Sequence, residues 1–220
     1  MRTRLEMLFS QPFSRAALAF LPVFACVIPA GAETAKTSPP APIDVELSLA
    51  AVTDYRYRGL SLSDKKPSLQ ASLTATHTTG VYAALWAATI ADNGGASLEN
   101  QIKLGCSGEG GGIAFDLAAA YYIYPGASAD NYGELTARVS RSLGPTEFGA
   151  TMSYAPAQAN IGHVDNLYLG LDASLPLGAS PLTLGGNIGV EKGAFGEQKL
   201  DWALGLSGGA AGLTFSVAYV

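Results

Sequence analysis

The sequence predicts an all-β fold, an antiparallel up-and-down transmembrane β-barrel. From Asp44 onward, apolar and polar residues alternate with a period of two in one segment after another, and no stretch has a convincing helical period. Only 14% of the residues are charged, which is too few for an ordinary soluble surface. Tight Gly/Pro turns alternate with longer, more charged loops, as they do in outer-membrane barrels.

Three regions follow one another along the chain. Residues 1–32 begin with a basic stretch, continue with an apolar one and end in the sequence AGA, which predicts a secretory signal peptide cleaved after residue 32. The apolar stretch is short of the ~20 residues of a membrane span, and the residues before Cys26 form a poor lipoprotein signal. Residues 33–42 are a Pro-rich periplasmic spacer, and residues 43–220 are the predicted barrel.

Eleven segments of the barrel region have the alternation of strands. In the first, the apolar face ends in two tyrosines and the other face carries every charge. Bacterial single-chain barrels have an even number of strands. We therefore expect about twelve in the intact barrel, with the closing strand either missing from this chain or hidden in an ambiguous region. The predicted strands cover residues 44–58, 68–76, 81–90, 98–104, 113–123, 134–139, 147–154, 166–175, 182–190, 201–207 and 213–219.

Alternation alone fits a soluble barrel with its apolar face inside, or a membrane barrel with that face outside. The polar face consists largely of Ser, Thr, Gly and Ala, not of the Lys and Glu that coat a soluble sheet. Most segments approach the ~9–11 residues of a membrane-spanning strand. Aromatic residues near strand ends predict a girdle at the lipid–water interface, and they are Tyr55, Tyr57, Tyr121, Tyr154, Trp202 and Tyr219.

If the polar face lines the lumen, acidic residues there outnumber basic ones. An acidic lumen favours the passage of cations over anions. Arg56 and Arg58 would form a positive pair at the mouth, held by Asp54 and neighbouring acids. The alternative is that the charges pair across the barrel and plug it. The residues predicted to line the pore or its rim are Asp54, Arg56, Arg58, Glu99, Lys103, Asp116, Glu134 and Arg138.

Composition also argues against several other functions. The whole chain has 13 basic and 18 acidic residues. Removal of the signal peptide takes away three Arg and one Glu, which leaves a net charge of about −7. A negative net charge disfavours nucleic acid as a partner. His77 and His163 have no metal-ligand spacing and no evident catalytic partner. We therefore expect no enzymatic activity, no metal and no cofactor. The remaining barrel cysteine, Cys106, allows no internal disulfide.

Three stretches of the barrel region resemble a known family. Residues 52–90, VTDYRYRGLSLSDKKPSLQASLTATHTTGVYAALWAATI, resemble the opening of the TorF-type porins, bacterial proteins long catalogued as of unknown function. The stretch YYIYPGAS at residues 121–128 also resembles this family, and SLENQIKLGCSGE at residues 97–109 does so more loosely. The resemblance implies an outer-membrane barrel with a pore function, without enzymatic activity, and gives no substrate.

These observations predict a porin-like channel in the outer membrane of a Gram-negative bacterium, for passive diffusion of small solutes with a leaning towards cations. The alternative is a plugged barrel with a structural, adhesive or binding role through its outer loops. The expected partners are outer-membrane lipid, small solutes and the barrel-assembly machinery. Assembly as a homo-oligomer stays open.

Overall fold

The computed structural model describes residues 26–29, 42–210 and 212–220. The predicted signal peptide and spacer therefore lie almost wholly outside the described residues. Two 3₁₀ turns, Ser128–Asp130 and Ala159–Ile161, are the helical elements found in the described part. The strands are β1 (Cys26–Pro29), β2 (Ile43–Val52), β3 (Arg56–Tyr57), β4 (Leu60–Ser61), β5 (Ser68–His77), β6 (Val81–Asn93), β7 (Ala96–Gly110), β8 (Ile113–Ile123), β9 (Tyr132–Leu143), β10 (Thr146–Ala155), β11 (Asn166–Pro176), β12 (Leu182–Gly193), β13 (Gly196–Ala210) and β14 (Leu213–Tyr219).

Eleven long strands, β2 and β5 to β14, form one antiparallel sheet in which each strand pairs with its neighbours in the chain. This confirms the all-β antiparallel fold and the eleven strands predicted from the sequence. The short strand β1 pairs with both β2 and β14, so the strand order returns on itself as a closed barrel. Up-and-down order follows from short connections, because consecutive antiparallel strands need only a tight turn between them.

The short strand β1 pairs with its two neighbours to different extents. Val27 pairs with Thr214 of β14, whereas four residues of β1 pair with β2, from Cys26 opposite Ala51 to Pro29 opposite Ser48. This strand lies within the segment that the sequence predicts to be a cleaved signal peptide. It takes the twelfth position of the ring, which the sequence left without a strand.

The two faces of the sheet have opposite chemistry. Large apolar side chains are exposed on the outer face of every long strand, for example Val45, Leu117 and Leu171. Carboxylates lie on the inner side instead. Because successive side chains of a strand point to opposite faces, the alternation in the sequence produces this separation directly. Six acids are at most 7% exposed, namely Asp54, Glu99, Asp116, Glu134, Glu191 and Asp201.

The two ends of the barrel differ in their connections. One end has tight turns, such as residues 78–80 between β5 and β6. The other end has the longer connections, including residues 53–67. Residues 91–97 and 191–199, which lie between predicted strands, instead extend the strands into hairpins, and pairing continues to Asn93 opposite Ala96 and to Gly193 opposite Gly196. Regular ladder hydrogen bonds satisfy the backbone there better than an open loop would.

Candidate functional site

Residues 53–67, called the inward segment below, leave the sheet after Val52 and fold into the barrel. At its tip β3 and β4 form a hairpin with Arg58 and Gly59 as the two turn residues. Their φ angles are 48° and 80°, and a two-residue turn with both φ positive twists in the same sense as its strands. A non-glycine residue at positive φ is uncommon. Asp64 and Lys65 of the same segment also have positive φ angles.

Asp54 organises the base of the inward segment. Its carboxylate accepts hydrogen bonds from Arg56 Nε at 2.6 Å and from Ser63 Oγ at 3.3 Å, and also from Ser61. Ser63 Oγ in turn accepts the backbone N–H of Tyr55 at 2.8 Å. These bonds join the two arms of the segment, so it forms a compact unit rather than a loose loop.

Arg58 reaches the opposite wall of the barrel. Its guanidinium donates to both oxygens of Glu134 on β9, at 2.8 and 2.9 Å, and to Glu191 on β12 at 2.9 Å. The ring centroids of Tyr57 and Tyr168 lie 4.6 and 4.5 Å from its central carbon. Charge-assisted bidentate bonds are stronger than neutral ones, and aromatic faces attract a guanidinium further. We call Glu134, Glu191 and Tyr168 the wall cage.

Two tyrosines of the inward segment pack against the inner wall. Tyr55 is only 3% exposed and donates to Glu99 at 3.1 Å, while its ring lies 5.5 Å from that of Trp86. The hydroxyl of Tyr57 lies 3.0 Å from that of Tyr122. Both residues were predicted to face lipid in the girdle, and that prediction is wrong. The alternation rule holds only while the chain continues as a strand, and β2 ends at Val52.

The far side of the inward segment is open to solvent. There Lys66 donates to Asp64 at 2.9 Å, and this hydrogen bond lowers the pKa of Asp64 below its ordinary value. Both side chains are exposed, so the pair marks the outer rim and contributes little to stability. The inward segment thus has a polar rim and a buried, charged tip.

A second group of charges lies on the inner wall nearer the tight-turn end. Arg138 on β9 donates to Asp172 on β11, with one bond of 2.8 Å, and to Thr151 at 3.3 Å. Asp116 accepts a hydrogen bond from Tyr82 at 3.1 Å. Lys103 points to the same side from β7, in register with Ala120. These residues form a charged band across the interior that the inward segment does not cover.

All eight residues predicted to line the pore or its rim lie on the inner side of the barrel. They fall into two groups, one in contact with the inward segment and one in the charged band. That they line a conducting pore stays a prediction. The first group is Asp54, Arg56, Arg58, Glu99 and Glu134, and the second is Lys103, Asp116 and Arg138.

The other four girdle residues lie on the outer face. Tyr121 and Tyr154 are 46% and 37% exposed and lie near the loop end of β8 and β10. Trp202 and Tyr219 lie together, with ring centroids 5.5 Å apart, but Trp202 pairs with Ile188 well inside the ladder of β12 and β13. Their place at a lipid–water interface stays a prediction.

Two of the three residues of the wall cage were not predicted from the sequence. Glu191 was placed in a loop, although continued alternation after Val190 would have turned it inward. Tyr168 lies opposite Glu191 in the register of β11 and β12, but a Tyr between two leucines gives no distinct signal of its own. Glu191 also forms an ion pair with Lys199 and accepts a hydrogen bond from Asn166 at 2.9 Å.

The chain was compared with known families, curated proteins and solved structures. The sequence profile of a bacterial protein family of unknown function (Gcw_chp) matches residues 36–220. The chain belongs to this family. The match covers β2 to β14 and the inward segment, but not β1. No curated protein and no solved structure gives a significant match. The match agrees with the TorF-type resemblance in one respect, since both indicate a bacterial family of unknown function. The match does not show that the family consists of porins, and that function is part of the proposal below.

Among the described ranges, no His, Cys, Asp and Glu side chains come together in a group of three or more that could hold a metal ion. None of the helical segments in the described part has the length and apolar character needed to cross a membrane.

The contact between Gly59 and the wall leads to a first prediction. A Cβ at Gly59 would lie 2.8 Å from Cβ of Asp201, whereas a Cβ at Gly178 in a tight turn would meet nothing within 4 Å. Both glycines have positive φ, so each alanine variant loses about 1–2 kcal/mol from the backbone conformation. We expect Gly59→Ala to lose more, because it also pushes the hairpin from the wall. Urea unfolding of both variants measures the difference, and equal losses would contradict the contact.

Proposed function

We propose that this protein is an outer-membrane channel that lets small solutes diffuse passively, with a preference for cations, through a lumen narrowed by the inward segment. The observation that carries the proposal is the burial pattern. Large apolar side chains are exposed around the outer face while carboxylates are buried inside. In water this arrangement would expose far more apolar surface than soluble proteins tolerate. In a lipid bilayer these apolar side chains would contact acyl chains instead of water. Outer-membrane lipid is therefore the proposed partner.

The pairing of the backbone groups also supports a membrane environment. In hydrocarbon every N–H and C=O group needs a partner within the protein, and a closed barrel provides one. Strands β5 to β13 pair on both sides, and β1, which the predicted cleavage after residue 32 would remove, bridges β2 and β14. Export by an N-terminal signal peptide and insertion by the barrel-assembly machinery of a Gram-negative bacterium complete the proposal.

The charge of the inner face favours cations. Acids outnumber bases there, and a ring of carboxylates lowers the barrier for cations in a pore. Small side chains lie between them on the inner face, such as Ser48, Ser72 and Ala118. Twelve strands lie between the eight that side chains fill and the sixteen that leave a wide channel. The inner acids are Asp44, Glu46, Asp54, Glu99, Asp116, Glu134, Glu147, Asp172, Glu191 and Asp201, and the inner bases are Arg56, Arg58, Lys103, Arg138 and Lys199.

Planar-bilayer recording of the refolded full-length protein tests the proposal. We expect discrete conductance steps and, under a KCl gradient, a reversal potential of the sign for cation selectivity. Migration that changes on heating identifies folded barrels in the same preparation. If the folded protein gives no conductance steps, and a variant without the inward segment gives none either, the channel proposal is refuted. A plugged barrel with a structural or adhesive role would then be favoured.

The charged band gives a prediction for selectivity. Asp116→Asn keeps an oxygen that accepts the Tyr82 hydrogen bond but removes a charge from the lumen. We expect the reversal potential to move towards the unselective value without a large change in conductance. Glu197→Gln removes the same charge at an exposed position near the β12–β13 turn and serves as the control. Equal shifts in both variants, or none in Asp116→Asn, would contradict an acidic filter in the band.

A further inference from the structure

The wall cage that holds Arg58 has the parts of a binding site for a planar cation. Glu134 and Glu191 come from β9 and β12, and their side chains are 1% exposed. The ring of Tyr168 on β11 covers one side of the guanidinium at 4.5 Å. Two carboxylates that accept three N–H bonds, with an aromatic face above, match the fork and the flat surface of a guanidinium.

The wall cage also makes contacts that do not involve Arg58. Asn166 donates to Glu191 at 2.9 Å, and Lys199 pairs with the same carboxylate. Tyr122 donates to Glu134 at 3.4 Å from the neighbouring strand β8. The ring of Tyr168 lies across glycines of β11 and β12, where a Cβ would collide with it. All these contacts belong to the barrel wall, and none of them involves Arg58.

Arg58 itself comes from outside that wall. It is the tip of a hairpin joined to the barrel through residues 53–67, and it adopts a left-handed φ of 48°. A strained backbone residue at a site of converging contacts points to function. Without its guanidinium, the wall cage would hold two carboxylates against the single ammonium of Lys199. A buried negative charge of this kind needs a cation.

We propose that Glu134, Glu191 and Tyr168 form a binding site for guanidinium-bearing solutes, which the chain's own Arg58 occupies in this structure. A solute that carries a guanidinium competes with Arg58, displaces the hairpin tip and enters the lumen below it. This inference rests on the proposed channel for the passage step, but binding at the wall cage does not depend on conduction.

Calorimetry on refolded protein in detergent tests the binding step, with methylguanidinium as the probe. Arg58→Asn empties the cage, and asparagine tolerates a positive φ, so the turn is kept. We expect one methylguanidinium to bind this variant at least tenfold more tightly than it binds the native protein, and more tightly than methylammonium. Adding Glu134→Gln to Arg58→Asn should abolish the gain. Lys66→Ala is the control, because Lys66 pairs with Asp64 at the exposed rim of the inward segment and not with the wall.

The alternatives have distinct outcomes. Arg58→Gly, which also permits the turn, replaces Arg58→Asn if the latter does not fold. The proposal is overturned if methylguanidinium binds with equal affinity to the emptied variant, to the native protein and to the Glu134→Gln double variant. In bilayers, methylguanidinium should lower the current through the emptied variant and methylammonium should not. Binding without current in any variant would refute the channel and leave the cage intact.

Discussion

Deleting the hairpin tip is expected to raise the unit conductance several-fold. In this variant a short Gly-Ser linker replaces residues 55–62. The ends to be joined are close, since Ser63 Oγ lies 3.3 Å from Asp54, and the strands of the barrel are untouched. The tip crosses from β2 to Glu134 and Glu191 on the other side of the lumen. Conductance through a narrow pore depends on its tightest point, so removing this bridge opens the passage.

Single-channel recording of the deletion variant beside the native protein measures this effect. Cation selectivity should survive, because the charged band with Asp116 and Asp172 stays in place. A Gly-Ser replacement of residues 177–181, which are exposed at the tight-turn end, is the control and should leave the conductance unchanged. Equal conductance of the native protein and the hairpin deletion would show that residues 55–62 are not the constriction.

Reversing the charge of Arg58 is expected to give the largest loss of stability. In Arg58→Glu, a third carboxylate meets Glu134 and Glu191 where each now accepts a short charge-assisted bond. Removing one partner of a buried ion pair costs about 3–5 kcal/mol, and repulsion expels the hairpin as well. We expect a lower urea midpoint together with a raised conductance.

A charge swap separates the ion pair from other effects of the change. Arg58→Glu combined with Glu134→Arg restores opposite charges across the same gap and should recover part of both losses. Lys66→Glu is the control, since its pair with Asp64 is exposed and its removal should not be measurable. A double variant as unstable as the single one would contradict a specific pair between β9 and the hairpin tip.

The barrel strands could be predicted from the sequence because they depend on one local rule. Alternation assigns each side chain to a face, and it placed Glu99, Asp116 and Arg138 on the inner side and Tyr121 on the outer side. The rule needs no knowledge of distant residues. It therefore works wherever the chain stays extended, as the eleven long strands do.

The inward segment could not be predicted by the same rule. Tyr55 and Tyr57 continue the apolar spacing of β2, but the strand ends at Val52. Contacts distant in sequence decide their position, such as those from Tyr55 to Glu99 and from Arg58 to Glu191. The local signal was Gly59, since glycine marks turns that need a positive φ.

The two tryptophans of the chain provide the measurement that tests the central claim most directly. Trp86 packs inside against Tyr55, whereas Trp202 is 46% exposed on the outer face. In vesicles of brominated lipid, the account predicts strong fluorescence quenching in Trp86→Phe, which retains Trp202. It predicts little quenching in Trp202→Phe, which retains Trp86. Quenching of Trp86, or of neither tryptophan, would contradict a barrel with its apolar face in lipid and the inward segment in its lumen.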